Sequence, residues 1–222
     1  WRSLARHLSP DAAPGPNLKG LPLGYNRPMA RALRDLMAAW DGLGVVCRHD
    51  RPTGTWIFIC LHNDKLGVCT GGSRMKVYPD LADALEDGMR LAEGMTYKWA
   101  GIGVPGGGGK AVLALERPLD GEERAGLLRR YGQLIESLGG RFRTGEDLGT
   151  TTDDMRRVAE ATRYVQGFRD GEKINPSPFT AQGVYSGIRA ALGVAFGNDS
   201  PDGRSVLVQG VGNVGATLAR LL

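Results

Sequence analysis

Four consecutive glycines, Gly106–Gly109, run directly into Lys110 and the apolar stretch Ala111–Leu115, and they constrain this chain more than any other feature. Glycine tolerates positive φ and lets backbone come close to other groups. The segment Gly94–Lys110 (GMTYKWAGIGVPGGGGK) therefore reads as a glycine loop with a lysine at either end, Lys98 and Lys110. Two ammonium groups in a partly dry pocket suit a small carboxylate, and their repulsion plus desolvation would lower the pKa of the more buried one. The competing reading is that both are solvated, as most lysines are. Other segments have to decide.

Residues 1–24 are rich in Pro, Gly and Asp without a period and predict an irregular arm. Leu33, Leu36 and Met37 stand at helical spacing within Pro28–Trp40. Val45–Arg48, Thr55–His62 and Leu66–Thr70 read as consecutive strands joined by tight turns, with Gly71-Gly72-Ser73-Arg74 ending the run. Asp80 offers an N-cap to a long helix that carries Lys98 into the glycine loop. Ala111–Leu115 predicts a strand, Asp120 a cap for a helix to Leu138, and Arg141–Thr152 a short strand leading to Gly145-Glu146-Asp147. A further helix is expected from Thr152 to about Val165, and the prolines of Asn175-Pro176-Ser177-Pro178 predict a rigid turn before a helix from Thr180 to about Phe196. Strands alternating with helices indicate a layered α/β domain. Taken locally, Glu146 and Asp147 read as cap or loop carboxylates.

With 222 residues, 41% hydrophobic and 23% charged, the chain can bury a sizeable core. Its net charge of +4 is spread among acidic residues, which argues against a nucleic-acid partner. Cys47, Cys60 and Cys69 lack metal-ligand or disulfide-framework spacing, so no metal site is expected and reduced thiols suggest a cytoplasmic setting. No run is long enough to span a membrane and no signal-peptide core is present. The start at Trp1 and the stop inside a helical pattern read as a chain cut at both ends.

Ser205–Gln209 predicts a buried strand that runs into Gly210-Val-Gly212-Asn-Val-Gly215 and a helix. In that context G-x-G-x-x-G fits a dinucleotide pyrophosphate, with Gly210, Gly212 and Gly215 shaping the turn and Asn213 and Val214 opening the helix whose N–H groups face the phosphate. The acidic residue that would separate NAD from NADP lies beyond Leu222.

Six segments in order, GGSRM, EDGMRLAEGMTYKWA, GGGK, GEDLGTTTDDM, NPSPFTAQGVYSG and VQGVGNVG, resemble the Glu/Leu/Phe/Val dehydrogenases over roughly residues 43–222, with the leucine and phenylalanine branch most similar. The resemblance implies an N-terminal substrate-binding and oligomerising domain with a mixed sheet to about Phe179, then the opening of a Rossmann-type domain from Thr180. It also implies a homo-oligomer that oxidatively deaminates an L-amino acid with NAD or NADP. By motif, Lys98 would hold the substrate carboxylate, Lys110 would activate the attacking water, and Asp147 would carry protons to and from the substrate nitrogen. Gly72, Met95 and Glu146 would border the substrate and Thr180 the nicotinamide.

Thr70 stands where the glutamate-specific branch carries a lysine, which points to a branched-chain, apolar or aromatic substrate and away from glutamate. Gly106 replaces a residue usually bulky and is expected to loosen the loop or open the pocket. The alternative, of a different class, is a non-catalytic amino-acid-binding or assembly module.

Overall fold

The structure, a computed structural model, describes residues 27–169 and 172–222. The arm predicted over 1–24 lies outside the described residues. Among the described residues, 27–42 and 43–222 belong to two separate units. In the first, α1 (Arg27–Trp40) is the expected amphipathic helix, with Trp40 buried and Leu36 and Met37 half-buried.

The second unit is built on a five-stranded mixed sheet. Its strands are β1 (Gly44–Asp50), β2 (Thr55–Asn63), β3 (Cys69–Val77), β4 (Gly107–Leu115) and β5 (Phe142–Glu146), in spatial order β1-β2-β4-β3-β5. The first two pairings are antiparallel and the last two parallel. β4 is therefore central and all nine of its residues are buried, as expected of a strand covered on both faces.

One face carries α3 (Gly121–Ser137) and α4 (Thr152–Ala159). Ile57, Ile59, Leu113, Met75 and Phe142 of the sheet meet Leu127, Leu128, Tyr131 and Ile135 of α3 and Met155 and Val158 of α4 in one core. The other face carries α2 (Leu81–Gly101), whose Asp80 cap accepts from the Ala82 N–H at 2.9 Å as the sequence predicts. Ala84, Gly88, Met89 and Ala92 turn inward, while Leu81 is 42% exposed.

Several expectations are corrected. β3 does not pair with β2, because β4 enters between them, so the three predicted strands are not a meander. The predicted strand Leu66–Thr70 starts at Cys69 and continues through Gly71–Arg74, which had read as its end. Both glycines are needed for close packing within the sheet: a Cβ on Gly71 would sit 1.7 Å from the Gly109 carbonyl oxygen, and one on Gly72 would sit 2.7 Å from that of Glu146. Gly107–Gly109 likewise form the start of β4 and not a loop.

Asp120 occupies the N-cap of α3 without a side-chain hydrogen bond. α4 stops at Ala159, short of Val165, and is capped by Thr151 in a reciprocal box with Asp154. A two-stranded hairpin not foreseen, β6 (Phe168–Arg169) with β7 (Glu172–Lys173), precedes α5 (Ser177–Phe196). α5 starts before Thr180 and contains Pro178, because proline is tolerated in a first turn whose N–H groups have no helical acceptor.

Ser205–Gln209, predicted as a buried strand, forms no ladder, and Leu207 is 94% exposed. Its apolar side chains read as buried, but among the described residues no strand pairs with its backbone, and only Val208 is half-buried, beside α6. α6 (Asn213–Leu221) follows and packs against α5. Among the described residues no helix is long and apolar enough to cross a membrane.

Candidate active site

α2 lies chiefly over β4 and β2, which leaves the adjoining face of β3 and β5 open. Alternation along β3 places Thr70, Gly72 and Arg74 on that face, while Cys69, Ser73 and Met75 face the α3 core. On β4 the same alternation puts Lys110 beside Gly108 and Val112, towards α2, and Ala111 and Leu113 towards α3. Asp147 follows β5 directly, and a Cβ on Gly72 would lie 2.8 Å from its Cβ. Lys110 and Asp147, 37 positions apart by number, are thus brought together, with Lys110 Nζ 2.9 Å from Asp147 Oδ2.

Lys110 is 4% exposed. Burial is the largest influence on it and pulls its pKa below the ordinary lysine value; the Asp147 carboxylate works the other way without cancelling this. Burial opposes charge on Asp147, but Lys110 and Arg74 together outweigh it and hold that carboxyl below its usual range. The loop is pinned from below: the Asp147 N–H donates to Thr150 Oγ1 at 2.9 Å, the Thr150 hydroxyl reaches the Ser73 carbonyl at 2.8 Å, and Met75 N–H binds the Leu148 carbonyl at 2.9 Å.

Lys98 is exposed and pairs with no carboxylate among the described residues. It lies in α2, not at the edge of a loop. Asp87, Leu91, Met95 and Lys98 are spaced four, four and three apart, so they form one stripe of the helix. Asp87 on that stripe binds Arg74 of β3 at 2.9 Å, and Met95 Cγ lies 3.4 Å from where a Gly71 Cβ would be. The stripe therefore borders β3, and Lys98 stands along the rim of the open face.

Two cavities share Trp99 and Gln166 as walls. One, about 250 Å³, is lined by Val68, Thr70, Pro105, Gly106 and Arg143; the other, about 320 Å³, by Glu146, Thr152, Met155, Ile174 and Pro176. Neither is lined by Lys98, Lys110 or Asp147. Thr70 is buried and donates its hydroxyl to the Val68 carbonyl at 2.9 Å, while its own carbonyl receives the Trp99 indole N–H at 3.2 Å. A Cβ on Gly106 would lie 3.2 Å from the Trp99 ring, so this glycine makes room for the indole. Glu146 accepts from the Thr152 hydroxyl at 2.5 Å.

The glycines of the second motif have separate tasks. Gly210 takes φ of +87°, a region that favours glycine, and a Cβ on Gly215 would sit 1.9 Å from the Gly210 carbonyl oxygen. Gly212 caps α6 without a side chain, and Asn213 and Val214 begin the helix, so its first N–H groups remain open to an anion. These residues fit a nucleotide pyrophosphate. Thr180 is exposed in the first turn of α5 and returns its hydroxyl to the Pro176 carbonyl at 3.1 Å.

The family model described as "Glu/Leu/Phe/Val dehydrogenase, dimerisation domain" matches residues 50–164, just over half of the chain. The chain belongs to the Glu/Leu/Phe/Val dehydrogenase family. It is 44% identical over 190 residues to leucine dehydrogenase of Thermoactinomyces intermedius, covering 85% of this chain and 51% of that one. Phenylalanine dehydrogenase of Lysinibacillus sphaericus is 40% identical over 180 residues, 80% of this chain and 47% of that one. The solved structure of L-tryptophan dehydrogenase from Nostoc punctiforme superposes with a TM-score of 0.65 at 38% identity, over 86% of this chain and 53% of the other. The chain spans about half the length of the named relatives it matches.

Sequence reasoning missed Arg74, Asp87, Trp99 and Thr150. Two signals were available for the charged pair: Arg74 has the strand parity of Thr70 and Gly72, and Asp87 shares the helical stripe of Lys98. Thr150 escaped notice because its tie to the Ser73 carbonyl crosses to another strand, although it also bonds the nearby Asp147 backbone.

Proposed function

We propose that this chain supplies the substrate-binding side of an amino acid dehydrogenase, with residues 1–179 as the substrate-binding and oligomerising domain and 180–222 opening the nucleotide-binding one. The substrate is a non-acidic L-amino acid, branched-chain, apolar or aromatic, oxidatively deaminated to the 2-oxo acid and ammonia. The observation that carries this reading is the buried Lys110 held 2.9 Å from Asp147 on the open β3–β5 face. A buried amine with a lowered pKa is suited to act as a base, and an ionised carboxylate beside it is suited to take a proton.

Lys98, exposed on the rim, supplies a positive charge for the substrate α-carboxylate and so orients Cα over the sheet. Asp147 takes a proton from the substrate ammonium, leaving a nitrogen lone pair that can form a C=N bond. A bound nicotinamide nucleotide would accept the hydrogen that leaves Cα with its electron pair. Lys110, in its free-base form, then takes a proton from water as that water adds to the imine carbon; Asp147 returns its proton to the nitrogen, and ammonia departs as the carbinol oxygen forms the C=O bond and releases its own proton to solvent. The preference for a non-acidic side chain is supported by Thr70, which offers a neutral hydroxyl already committed to the Val68 carbonyl. NAD is the proposed cofactor, with NADP as the alternative, supported by the pyrophosphate-shaped turn at Gly210–Gly215.

The test is an amino acid panel on the complete gene product with NAD and with NADP, following nicotinamide reduction. Leucine, phenylalanine or a similar residue should be turned over in preference to glutamate, and Lys110→Ala should lower kcat by about 100-fold or more. Preference for glutamate would overturn the Thr70 argument, and unaltered turnover in Lys110→Ala would remove Lys110 from the chemistry.

A further inference from the structure

Lys110 Nζ and Arg74 Nε reach the same oxygen, Asp147 Oδ2, at 2.9 and 3.0 Å, and Asp147 Oδ1 has no hydrogen-bond partner among the described residues. Were Lys110 the sole counter-charge, its loss of a proton would strand a half-buried carboxylate, and two groups this close titrate as a pair. The proton surrendered by the amine would be held by the acid. A guanidinium does not lose its proton in a protein.

Arg74 is also fixed from its other edge. Its Nη1 binds Asp87 Oδ2 at 2.9 Å, the Tyr78 hydroxyl donates to the same oxygen at 2.8 Å, and Arg90 Nη2 binds Asp87 Oδ1 at 2.8 Å. The guanidinium therefore spans from α2 to the loop after β5.

We propose that Arg74 is a positioning residue of this site: a cation that never titrates, anchored to α2 through Asp87, which keeps Asp147 a carboxylate with Oδ1 free while Lys110 stands without its proton. The inference rests on the reading of Lys110 as the base. It gives α2 a second task besides carrying Lys98, since Asp87 on the same stripe fixes the cation that holds Asp147.

The groups that face Lys110 from each packed element agree with this. Asp147 comes from the loop after β5, Arg74 from β3, and Asp87 from α2. From β2, Cys60 is opposite Lys110 in register, with a thiol that burial pushes up to about 12 and so keeps neutral. His62, further along β2 on the same face, is bound to Thr96 of α2 at 2.8 Å. Removing the charge of Arg74 takes away repulsion from Lys110 and leaves Asp87 with Arg90 as its one remaining bound cation among the described residues, and both changes favour the protonated amine.

The experiment follows the Lys110 side-chain carbon beside the amine by NMR in residues 1–222 labelled with carbon-13 lysine, its signal assigned by loss in Lys110→Gln. In Arg74→Gln the Lys110 midpoint should rise by about one pH unit; in Arg74→Lys, which keeps the charge, it should stay within a few tenths of wild type. An unchanged midpoint in Arg74→Gln overturns the proposal, as does an equal rise in Arg74→Lys. If Arg74→Gln does not fold, a rise of that size in Arg74→Lys alone is sufficient to overturn it.

In the complete gene product the limb of the kcat/KM profile set by Lys110 should move by the same amount in Arg74→Gln. A merely structural role would lower kcat/KM at every pH and leave the limb in place. Absence of turnover in the wild-type product would defeat the dehydrogenase reading, and the NMR midpoint would still decide the role of Arg74.

Discussion

The two glycine-rich stretches, Gly106–Gly109 and Gly210–Gly215, look alike in sequence and behave differently in the structure. In the first, a Cβ at Gly107 would lie 2.4 Å from the carbonyl oxygens of Asn63 and Gly67, one at Gly108 would lie 1.8 Å from Thr96 Oγ1, and one at Gly109 would lie 2.9 Å from the Phe142 ring. None of these residues has positive φ. Their smallness lets α2 and β3 close on β4, and that closure buries Lys110. In the second stretch Gly210 has positive φ with open space around it, Gly212 also has open space, and Gly215 alone is packed tightly. The same residue serves proximity in one place and conformation in the other.

The sharpest way to break this comparison is Gly108→Ala. Its Cβ would also meet the Ala92 carbonyl oxygen at 2.4 Å, so α2 would have to move, at a cost of about 3 kcal/mol in urea unfolding. A loss of a few tenths would show that the helix yields easily and that close packing is not why glycine stands there.

Acid should separate the regions next. Asp50, Asp87, Asp147 and Asp154 all belong to the sheet region; in each, burial opposes the charge but bound partners hold the folded-state carboxyl below its ordinary range. Their stabilisation is complete above about pH 4, the unfolded value, and is lost as pH falls through the depressed folded values. The urea midpoint followed by tryptophan fluorescence should therefore drop between neutral pH and about pH 3. Equal midpoints would mean that these pairs contribute nothing.

A smaller effect is expected from Gly210→Ala. Forcing a Cβ into the left-handed region costs about 1 kcal/mol locally, and the midpoint of the sheet should hardly move. Nicotinamide nucleotide affinity of the complete gene product, read by calorimetry, should fall about tenfold if that strain reaches the pyrophosphate turn. Unchanged affinity would detach Gly210 from the cofactor. The smallest change has the opposite sign: Gly94, exposed within α2 with nothing near its missing Cβ, should stabilise the chain by about 0.8 kcal/mol as Gly94→Ala. Destabilisation there would point to a packing partner of α2.

The sequence by itself determined the elements whose signals are local. Asp80 announces the start of α2 because its carboxylate answers an N–H two residues on, and the apolar run at Ala111–Leu115 announces a strand. The spacing within six motifs also determined the family and pointed to Lys98, Lys110 and Asp147.

Only the tertiary structure decided that β4 lies between β2 and β3, that Gly71-Gly72 continue a strand, and that Arg74 and Asp87 complete the charge chain around Asp147. These depend on partners 13 to 73 positions away by number, such as Arg74 with Asp87 and Asp147. The run Ser205–Gln209 gives the converse case. Its residues have every local mark of a buried strand, but a strand exists only through a neighbour that pairs with its backbone, and among the described residues it has none.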